Sequence, residues 1–175
     1  MSGATWRFAS DTEGLESAEE QLKEPDTIIR AVVCEVTVQK EIEDSLAKTV
    51  KGMNPIDILV NTAGAIQDNQ QEVMTTEDYR DALDSSFWVQ LYAAVAVVHR
   101  MKERKFGRIV NIALNGGKIS VPHLLPYNTS KFALAGFSQG LRYELMPDNI
   151  FATTARPGLM RTGSHVNANS KASIN

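Results

Sequence analysis

A short, almost wholly apolar run that ends in a polar turn narrows the possible folds of this sequence more than any other feature. Residues 56–60 read IDILV, and Asn61-Thr62-Ala63-Gly64 follows at once. Such a run suits a parallel strand that is buried on both faces. We therefore expect an α/β protein in which helices cover a parallel sheet.

The rest of the chain alternates between β-branched runs and helical patterns. Strands are predicted at residues 4–9, 27–36, 108–113 and 150–154, and the longest helices at 38–50, 76–104 and 127–145. This order favours parallel strands joined by right-handed crossovers. The length of 175 residues predicts one domain over residues 1–175. The polar tail, residues 162–175, is expected to be disordered.

Composition excludes several classes of protein. The chain has 18 Lys and Arg against 21 Asp and Glu, with no basic block, so we expect no nucleic-acid partner. A single cysteine, Cys34, provides neither an internal disulfide nor a thiolate metal cluster. The three histidines are scattered along the chain, so no metal is expected. No apolar run is long enough to span a bilayer and no signal pattern is present, so we expect a cytoplasmic protein.

Tyr127 and Lys131 form the most chemically suggestive pair. They stand four positions apart and share one face of a predicted helix. A phenol titrates at about 10, too high for proton transfer at neutral pH, and a neighbouring ammonium lowers that pKa. The pair would then donate a proton to a carbonyl or take one from an alcohol. Taken alone, the spacing also fits a tyrosine packed on a helix surface.

Three further motifs occur along the chain, and their order is informative. Asn61-Thr62-Ala63-Gly64 ends a strand, Gly107 opens the next one, and Pro157-Gly158 follows the last. With the Tyr-x-x-x-Lys spacing, they resemble the short-chain dehydrogenase/reductase family, which is marked by Asn-Asn-Ala-Gly, Tyr-x-x-x-Lys and Pro-Gly. The resemblance covers nearly the whole chain. It implies a Rossmann-like, doubly wound parallel sheet with helices on both faces.

The resemblance also implies a function. The family transfers hydride between NAD or NADP and a small-molecule alcohol or carbonyl. Tyr127 would be the general acid/base, and Lys131 would lower its pKa and hold the nicotinamide ribose. The residues implied to bind the cofactor are Glu35, Asn61, Ala63, Gly64, Tyr127, Lys131, Pro157 and Gly158. Helices 76–104 and 127–145 commonly form a dimer face in this family, which implies a homo-oligomer.

Departures from the family pattern lead to an alternative hypothesis. The family's substrate-orienting serine would stand at Leu114 or beside it, where Ala113-Leu114-Asn115 contains no hydroxyl. Ser86 stands where the family has an asparagine that relays protons to the lysine through water. The sequence also lacks the first strand with its Gly-rich phosphate turn, and the C-terminal strand. We therefore expect an incomplete sheet with impaired cofactor binding, and a chain that is inactive or strongly impaired as an enzyme. The alternative is an inactive truncated member, or a non-catalytic partner that associates through its helices.

Overall fold

The computed structural model of the protein describes residues 4–21, 28–52, 55–68, 70–113, 117–158 and 168–170. These residues form an alternation of strands and helices in which every strand pair is parallel. None of the described helices is long and apolar enough to cross a membrane. The predicted α/β class is thus confirmed. The chain divides into two compact units, Met1–Met53 and Asn54–Asn175, and the single domain stays a prediction.

The first unit is a pair of parallel strands with two helices. Its elements are β1 (Ala4–Ala9), α1 (Thr12–Gln21), β2 (Ile28–Val33) and α2 (Gln39–Gly52). β1 and β2 pair along their full length, from Ala4 opposite Ile28 onward. Ile42 and Leu46 are buried because they stand one turn apart on the apolar face of α2.

The second unit contains a three-stranded parallel sheet and three helices. Its elements are β3 (Ile58–Asn61), β4 (Ile66–Asp68), α3 (Thr76–Leu83), α4 (Val89–Arg104), β5 (Gly107–Ile112), α5 (Leu125–Leu145), β6 (Ile150–Ala155) and β7 (Ala168–Ser170). β5 is the central strand of the sheet, with β3 on one side and β6 on the other. The carboxyl ends of β3, β5 and β6 therefore lie at the same edge of the sheet, which is the edge where parallel sheets bind ligands.

The core of the second unit is formed by α4, β5, α5 and β6. Met101, Ile109, Leu134 and Ile150 contribute fully buried side chains to it. Along β5, alternate residues are buried, because successive side chains of a strand point to opposite faces. The same alternation buries Asn111 completely, which places an amide in the core.

The long helix predicted at residues 76–104 is confirmed in extent but contains an irregular turn. Thr75 and Asp78 cap its start, with the Thr75 N–H donating to Asp78 Oδ2 at 2.7 Å. A turn of π-helix, Asp84–Trp88, separates α3 from α4. Its buried residue is Ser86. Such turns are frequent at functional sites, and neither composition nor periodicity predicted this one.

Three residues of the tail for which disorder is predicted, residues 162–175, belong to a described strand, and the disorder of the tail stays a prediction. Ala168–Ser170 form β7, which pairs in parallel with β4. Main-chain hydrogen bonds hold such a pair and require no apolar side chains, so a hydrophobic pattern does not reveal it. Residues 162–167 and 171–175 lie outside the described residues.

Candidate active site

Tyr127 and Lys131 lie one turn apart on α5, and their exposed fractions are only 4% and 2%. Lys131 Nζ lies 5.6 Å from the centroid of the Tyr127 ring. The ammonium donates to the main-chain oxygen of Ile112 at 3.3 Å and to that of Ala63 at 3.5 Å. These carbonyls stand at the end of β5 and in the turn after β3. The lysine is therefore at the ligand-binding edge of the sheet.

Burial shifts the pKa values of both side chains in this pair. It raises the pKa of the Tyr127 phenol to about 12, because the phenolate loses its solvation. For the same reason it lowers the pKa of Lys131 to about 8. Desolvation is the dominant effect on the phenol, and the role of Lys131 in lowering the pKa of Tyr127 stays a prediction. At neutral pH the phenol therefore holds its proton and is equipped to donate it.

A chain of buried amides fixes the end of β3. Asn61 Nδ2 donates to Asn111 Oδ1 at 2.9 Å and to the main-chain oxygen of Gln90 at 3.3 Å. Asn111 Nδ2 in turn donates to Ser138 Oγ at 3.1 Å. We call Asn61, Asn111 and Ser138 the paired cluster. It ties β3 and β5 to α5, and so it fixes the strand end from which the next turn begins.

Gly64, in the turn that follows, lies directly against Lys131 and Ser86. A Cβ atom placed on Gly64 would lie 2.7 Å from Lys131 Nζ and 3.0 Å from Ser86 Oγ. A side chain at this position would push these groups away, so the absence of one lets the ammonium and the hydroxyl lie beside the turn. We call the surroundings of Gly64, Lys131 Nζ and Ser86 Oγ the Gly64 cell.

Several buried polar atoms of the second unit make no hydrogen bond to another described residue. Ser86 Oγ, Gln90 Oε1 and the Tyr127 hydroxyl are buried and have no partner in the part of the chain that the structure describes. We call Ser86, Gln90, Tyr127 and Lys131 the open cluster. Leaving a buried polar group unpaired costs about 1–3 kcal/mol. Such a concentration indicates a site that a ligand or water completes.

Sequence reasoning missed Gln90. This residue is fully buried on α4, and its Nε2 donates to the main-chain oxygen of Ala63 at 2.9 Å. The signal that could have found it is its position as the one break in the apolar run of residues 87–98. An amide at such a position needs a partner in the core, and a turn near the sheet edge supplies it.

The loop that leads into α5 borders an open depression. Asn128 Nδ2 anchors this loop by donating to the Val121 main-chain oxygen at 2.8 Å and to Ser120 Oγ at 3.1 Å. A depression of about 440 Å³ is lined by Gln71, Glu72, Met74, Ser120, Val121, Pro122, His123 and Leu125. Leu114, which replaces the family's serine, lies outside the described residues.

The remaining predicted cofactor residues differ in how closely the structure ties them to this edge. The Ala113 N–H donates to the Ala155 main-chain oxygen at 3.0 Å, which holds the start of the Pro157-Gly158 segment beside the end of β5. Glu35 belongs to the first unit and is exposed. Its carboxylate accepts hydrogen bonds from the Thr37 hydroxyl and N–H, which lower its pKa. The cofactor role of Glu35 stays a prediction.

Known proteins resemble this chain over most of its length. Residues 2–173 match the short chain dehydrogenase family. The 3-oxoacyl-(acyl-carrier-protein) reductase FabG of Haemophilus influenzae is 30% identical over 133 residues, which cover 76% of this chain and 55% of that protein. The 3-dehydrosphinganine reductase of Danio rerio is 31% identical over 117 residues, covering 67% of this chain and 35% of that protein.

Solved structures share the fold as well. An NAD⁺-bound xylitol dehydrogenase superposes with a TM-score of 0.86 at 28% identity, covering 91% of this chain and 62% of that one. The actinorhodin polyketide ketoreductase with NADPH gives a TM-score of 0.82 at 32% identity, covering 89% of this chain and 60% of that one. Both likenesses confirm the Rossmann-like architecture that the sequence predicts.

These matches cover most of this chain but only part of each curated relative. This chain spans 60%, 35% and 55% of the length of three curated relatives. The family match, in contrast, includes nearly every residue of the chain. The turn after β3, the Tyr127–Lys131 pair on α5 and the segment after β6 occur in the order that the sequence predicts. The chain therefore belongs to the short-chain dehydrogenase/reductase family.

Proposed function

We propose that this chain carries the proton-transfer site of an NAD(P)-dependent oxidoreductase that interconverts an alcohol and a carbonyl group. The observation that carries this proposal is the buried Tyr127–Lys131 pair, whose phenol hydroxyl has no hydrogen-bond partner among the described residues. Relatives with bound NAD⁺ and NADPH support the class of cofactor.

The Gly64 cell offers hydrogen bonds to a nicotinamide nucleotide. Lys131 Nζ donates to two main-chain oxygens, and Ser86 Oγ has no partner among the described residues, so both groups have hydrogen-bonding capacity left. A ribose presents hydroxyl groups, and Lys131 would donate to one of them. Asn61 and Ala63 would hold the turn that shapes the cell, and Pro157 and Gly158 would line the neighbouring strand end. The bound cofactor would supply or accept the hydride.

Tyr127 would move the proton. With a pKa of about 12, the phenol is protonated at neutral pH and donates to a carbonyl oxygen that gains negative charge during reduction. The Lys131 ammonium beside the ring would stabilise the phenolate that remains. Alcohol oxidation needs the phenolate as the base, so its rate is expected to rise with pH. At neutral pH the protonated phenol is therefore in the form that the reduction step needs.

The substrate we propose is a ketone next to an acyl or alkyl chain. Relatives named as 3-oxoacyl-(acyl-carrier-protein) and 3-dehydrosphinganine reductases support this class. The depression before α5 offers Met74, Val121, Pro122 and Leu125 as an apolar wall for such a chain. A soluble β-ketoester is therefore a suitable first probe of turnover.

We also propose that the chain self-associates through α4 and α5. The sequence-based expectation of a homo-oligomer rests on these helices, and Val95 of α4 and Phe132 of α5 are exposed by 56% and 45%. Val95→Glu is expected to raise the fraction of monomer in sedimentation velocity. An unchanged distribution would contradict this assignment.

The experiment compares two tyrosines of the same helix. Tyr143 on α5 is 65% exposed, so Tyr143→Phe is the matched control for Tyr127→Phe. We expect Tyr127→Phe to lower the rate of β-ketoester reduction by about 10²-fold or more, because it removes the general acid. Tyr143→Phe should leave that rate unchanged. Equal rates in the two variants, or no reduction by the wild-type chain, would contradict the proposed function.

Cofactor binding has its own matched pair. Gly64→Ala places a Cβ atom 2.7 Å from Lys131 Nζ and so displaces the ammonium, whereas a Cβ on Gly136 would meet nothing within 4 Å. We expect Gly64→Ala to weaken NADH or NADPH binding by about tenfold or more, since losing a hydrogen bond to a charged group costs roughly 1.5–3 kcal/mol. Cofactor fluorescence measures both variants. Equal affinity in Gly64→Ala and Gly136→Ala would contradict the assigned ribose position.

A further inference from the structure

Gln90 is an amide where the helix pattern calls for an apolar side chain. It stands on α4 directly after the π-helical turn and is 0% exposed. A methionine of similar length would fill the same space without an amide to desolvate. Burying an amide is favourable only where hydrogen bonds compensate for the lost water. The contacts of Gln90 therefore indicate what the amide does.

Gln90 makes one hydrogen bond to the end of β3 and one to the turn that follows it. The main-chain oxygen of Gln90 accepts from Asn61 Nδ2 at 3.3 Å, and Gln90 Nε2 donates to the main-chain oxygen of Ala63 at 2.9 Å. The two contacts together fix the direction in which the Ala63 carbonyl points.

The Ala63 carbonyl is also a contact of the candidate catalytic lysine. Lys131 Nζ donates to the same oxygen at 3.5 Å, and its other main-chain acceptor is Ile112 at 3.3 Å. Both lysine contacts are long, so neither holds the ammonium firmly by itself. The amide of Gln90, at a shorter distance, determines where the shared oxygen lies.

Gln90 also has an unused acceptor. Its Oε1 is buried without a partner among the residues of the described ranges, like Ser86 Oγ in the preceding turn. An ammonium has three N–H donors, and the two carbonyls engage only two of them. In the free protein, a water between Lys131 and Gln90 Oε1 would satisfy the third donor and the free oxygen together, and a ribose hydroxyl would replace that water at the lysine when the cofactor binds.

We propose that Gln90 is a positioning residue for Lys131, which it holds through the shared Ala63 carbonyl and through a bridging water at its own Oε1. This inference rests on the proposed function, in which Lys131 binds the cofactor and assists Tyr127. It assigns Gln90 a role through the lysine rather than through substrate or cofactor.

The first test measures the mobility of the Lys131 side chain by NMR relaxation of its ¹³Cε and ¹⁵Nζ nuclei, in the free protein. In the wild-type chain the side chain is expected to be rigid, and in Gln90→Met its order parameter is expected to fall below about 0.6. Ser138→Ala is the control, because it removes the buried hydrogen bond between Asn111 and Ser138 and leaves the two hydrogen bonds to the Ala63 carbonyl in place. A Lys131 side chain as rigid in Gln90→Met as in Ser138→Ala would overturn the proposal.

A reciprocal test does not depend on the stability of Gln90→Met. Lys131→Met leaves Gln90 in place and removes the second donor to Ala63. We expect the side-chain amide resonances of Gln90 to shift and the exchange of their protons with solvent to change. Resonances that coincide with those of the wild-type chain would overturn the shared-carbonyl arrangement.

Neither test uses turnover, so the inference and the proposed function fail separately. Where the wild-type chain reduces the β-ketoester, a kinetic readout applies as well. Gln90→Met is expected to raise the KM for the cofactor by about tenfold and to alter the pH profile of kcat, because the lysine is no longer fixed. A folded Gln90→Met enzyme with wild-type KM and pH profile would contradict the positioning role.

Discussion

Two groups of buried polar residues lie close together in the second unit and differ in one respect. In the paired cluster, Asn61, Asn111 and Ser138 have no buried side-chain oxygen or nitrogen without a partner in the described structure. In the open cluster, the oxygens of Ser86, Gln90 and Tyr127 are buried and, among the same residues, unpartnered. Both clusters are almost completely shielded from solvent, so burial does not explain the difference.

Under the proposed function, the difference separates polar groups that stabilise the fold from polar groups that take part in the reaction. A fully hydrogen-bonded network stabilises one arrangement of the core, and the paired cluster joins two strands to α5 in this way. Polar atoms without partners destabilise the fold unless something else binds them. The open cluster borders the Gly64 cell at the sheet edge, which is where a ligand would supply the missing partners.

The largest expected effect comes from breaking the paired cluster. Asn111→Ala removes a fully buried side chain and both of its hydrogen bonds, which leaves groups on Asn61 and Ser138 without a partner. We expect a loss of about 3 kcal/mol in the free energy of unfolding. Urea denaturation at pH 7 measures it. A loss below about 1 kcal/mol would show that the paired cluster does not stabilise the fold.

Replacing Lys131 in the open cluster is expected to raise the free energy of unfolding, which is the opposite of the effect of Asn111→Ala. The folded pKa of Lys131 is about 8 against an ordinary value of 10.5. Above pH 10.5 the lysine is neutral in both states, and as the pH falls toward 8 the unfolded chain takes up the proton first. Folding therefore loses about 3 kcal/mol over that window, and the whole loss persists below it.

Lys131→Met removes this cost. We expect the variant to be more stable than the wild-type chain by about 2–3 kcal/mol at pH 7, with a gain that shrinks between pH 8 and pH 10.5. Denaturation at several pH values provides the measurement. A Lys131→Met chain that is less stable than wild type at pH 7 would indicate that the ammonium is well paired and that the comparison fails.

Tyr127 gives a smaller effect with the opposite pH dependence. Its folded pKa of about 12 exceeds the ordinary value of 10, so its contribution to stability is fully present below pH 10 and is lost as the pH rises through 12. At pH 11 the wild-type chain is expected to have lost about 1 kcal/mol relative to Tyr127→Phe. At pH 7 Tyr127→Phe should be as stable as the wild-type chain or more so, because the buried hydroxyl it removes has no partner among the described residues. A pH-independent difference between them would argue against a buried phenol.

The fold could be predicted from the sequence because it depends on periodicity. The predicted strand at residues 108–113 appears as Gly107–Ile112, and the predicted helix at 76–104 ends where Arg104 and Lys105 stand. Apolar spacing and chain order are local properties of a sequence, and the parallel pairing of β3, β5 and β6 follows from them.

The site could be predicted only in part. The Tyr127–Lys131 spacing and the turn at Asn61–Gly64 are visible as motifs, and the structure brings Lys131 to within reach of that turn. The direction of the phenol pKa could not be predicted, because burial depends on the packing of α5 against the rest of the unit. Gln90 was missed for a similar reason, since its partner Ala63 stands 27 positions away in the chain.

Two serines allow the most direct test of the central claim, which is that the open cluster holds unused hydrogen-bonding groups. Ser86 and Ser138 both lie on helices and are 0% and 1% exposed. Replacing either with alanine deletes one buried hydroxyl, so effects of helix propensity largely cancel. The Ser138 hydroxyl accepts from Asn111, whereas the Ser86 hydroxyl has no partner within the described residues.

The measurement is the difference in unfolding free energy between Ser86→Ala and Ser138→Ala at pH 7, without cofactor. We predict that Ser138→Ala loses about 1 kcal/mol while Ser86→Ala is as stable as the wild-type chain or more so. Equal losses in the two variants would contradict the account, because they would show that the Ser86 hydroxyl is already hydrogen-bonded in the free protein.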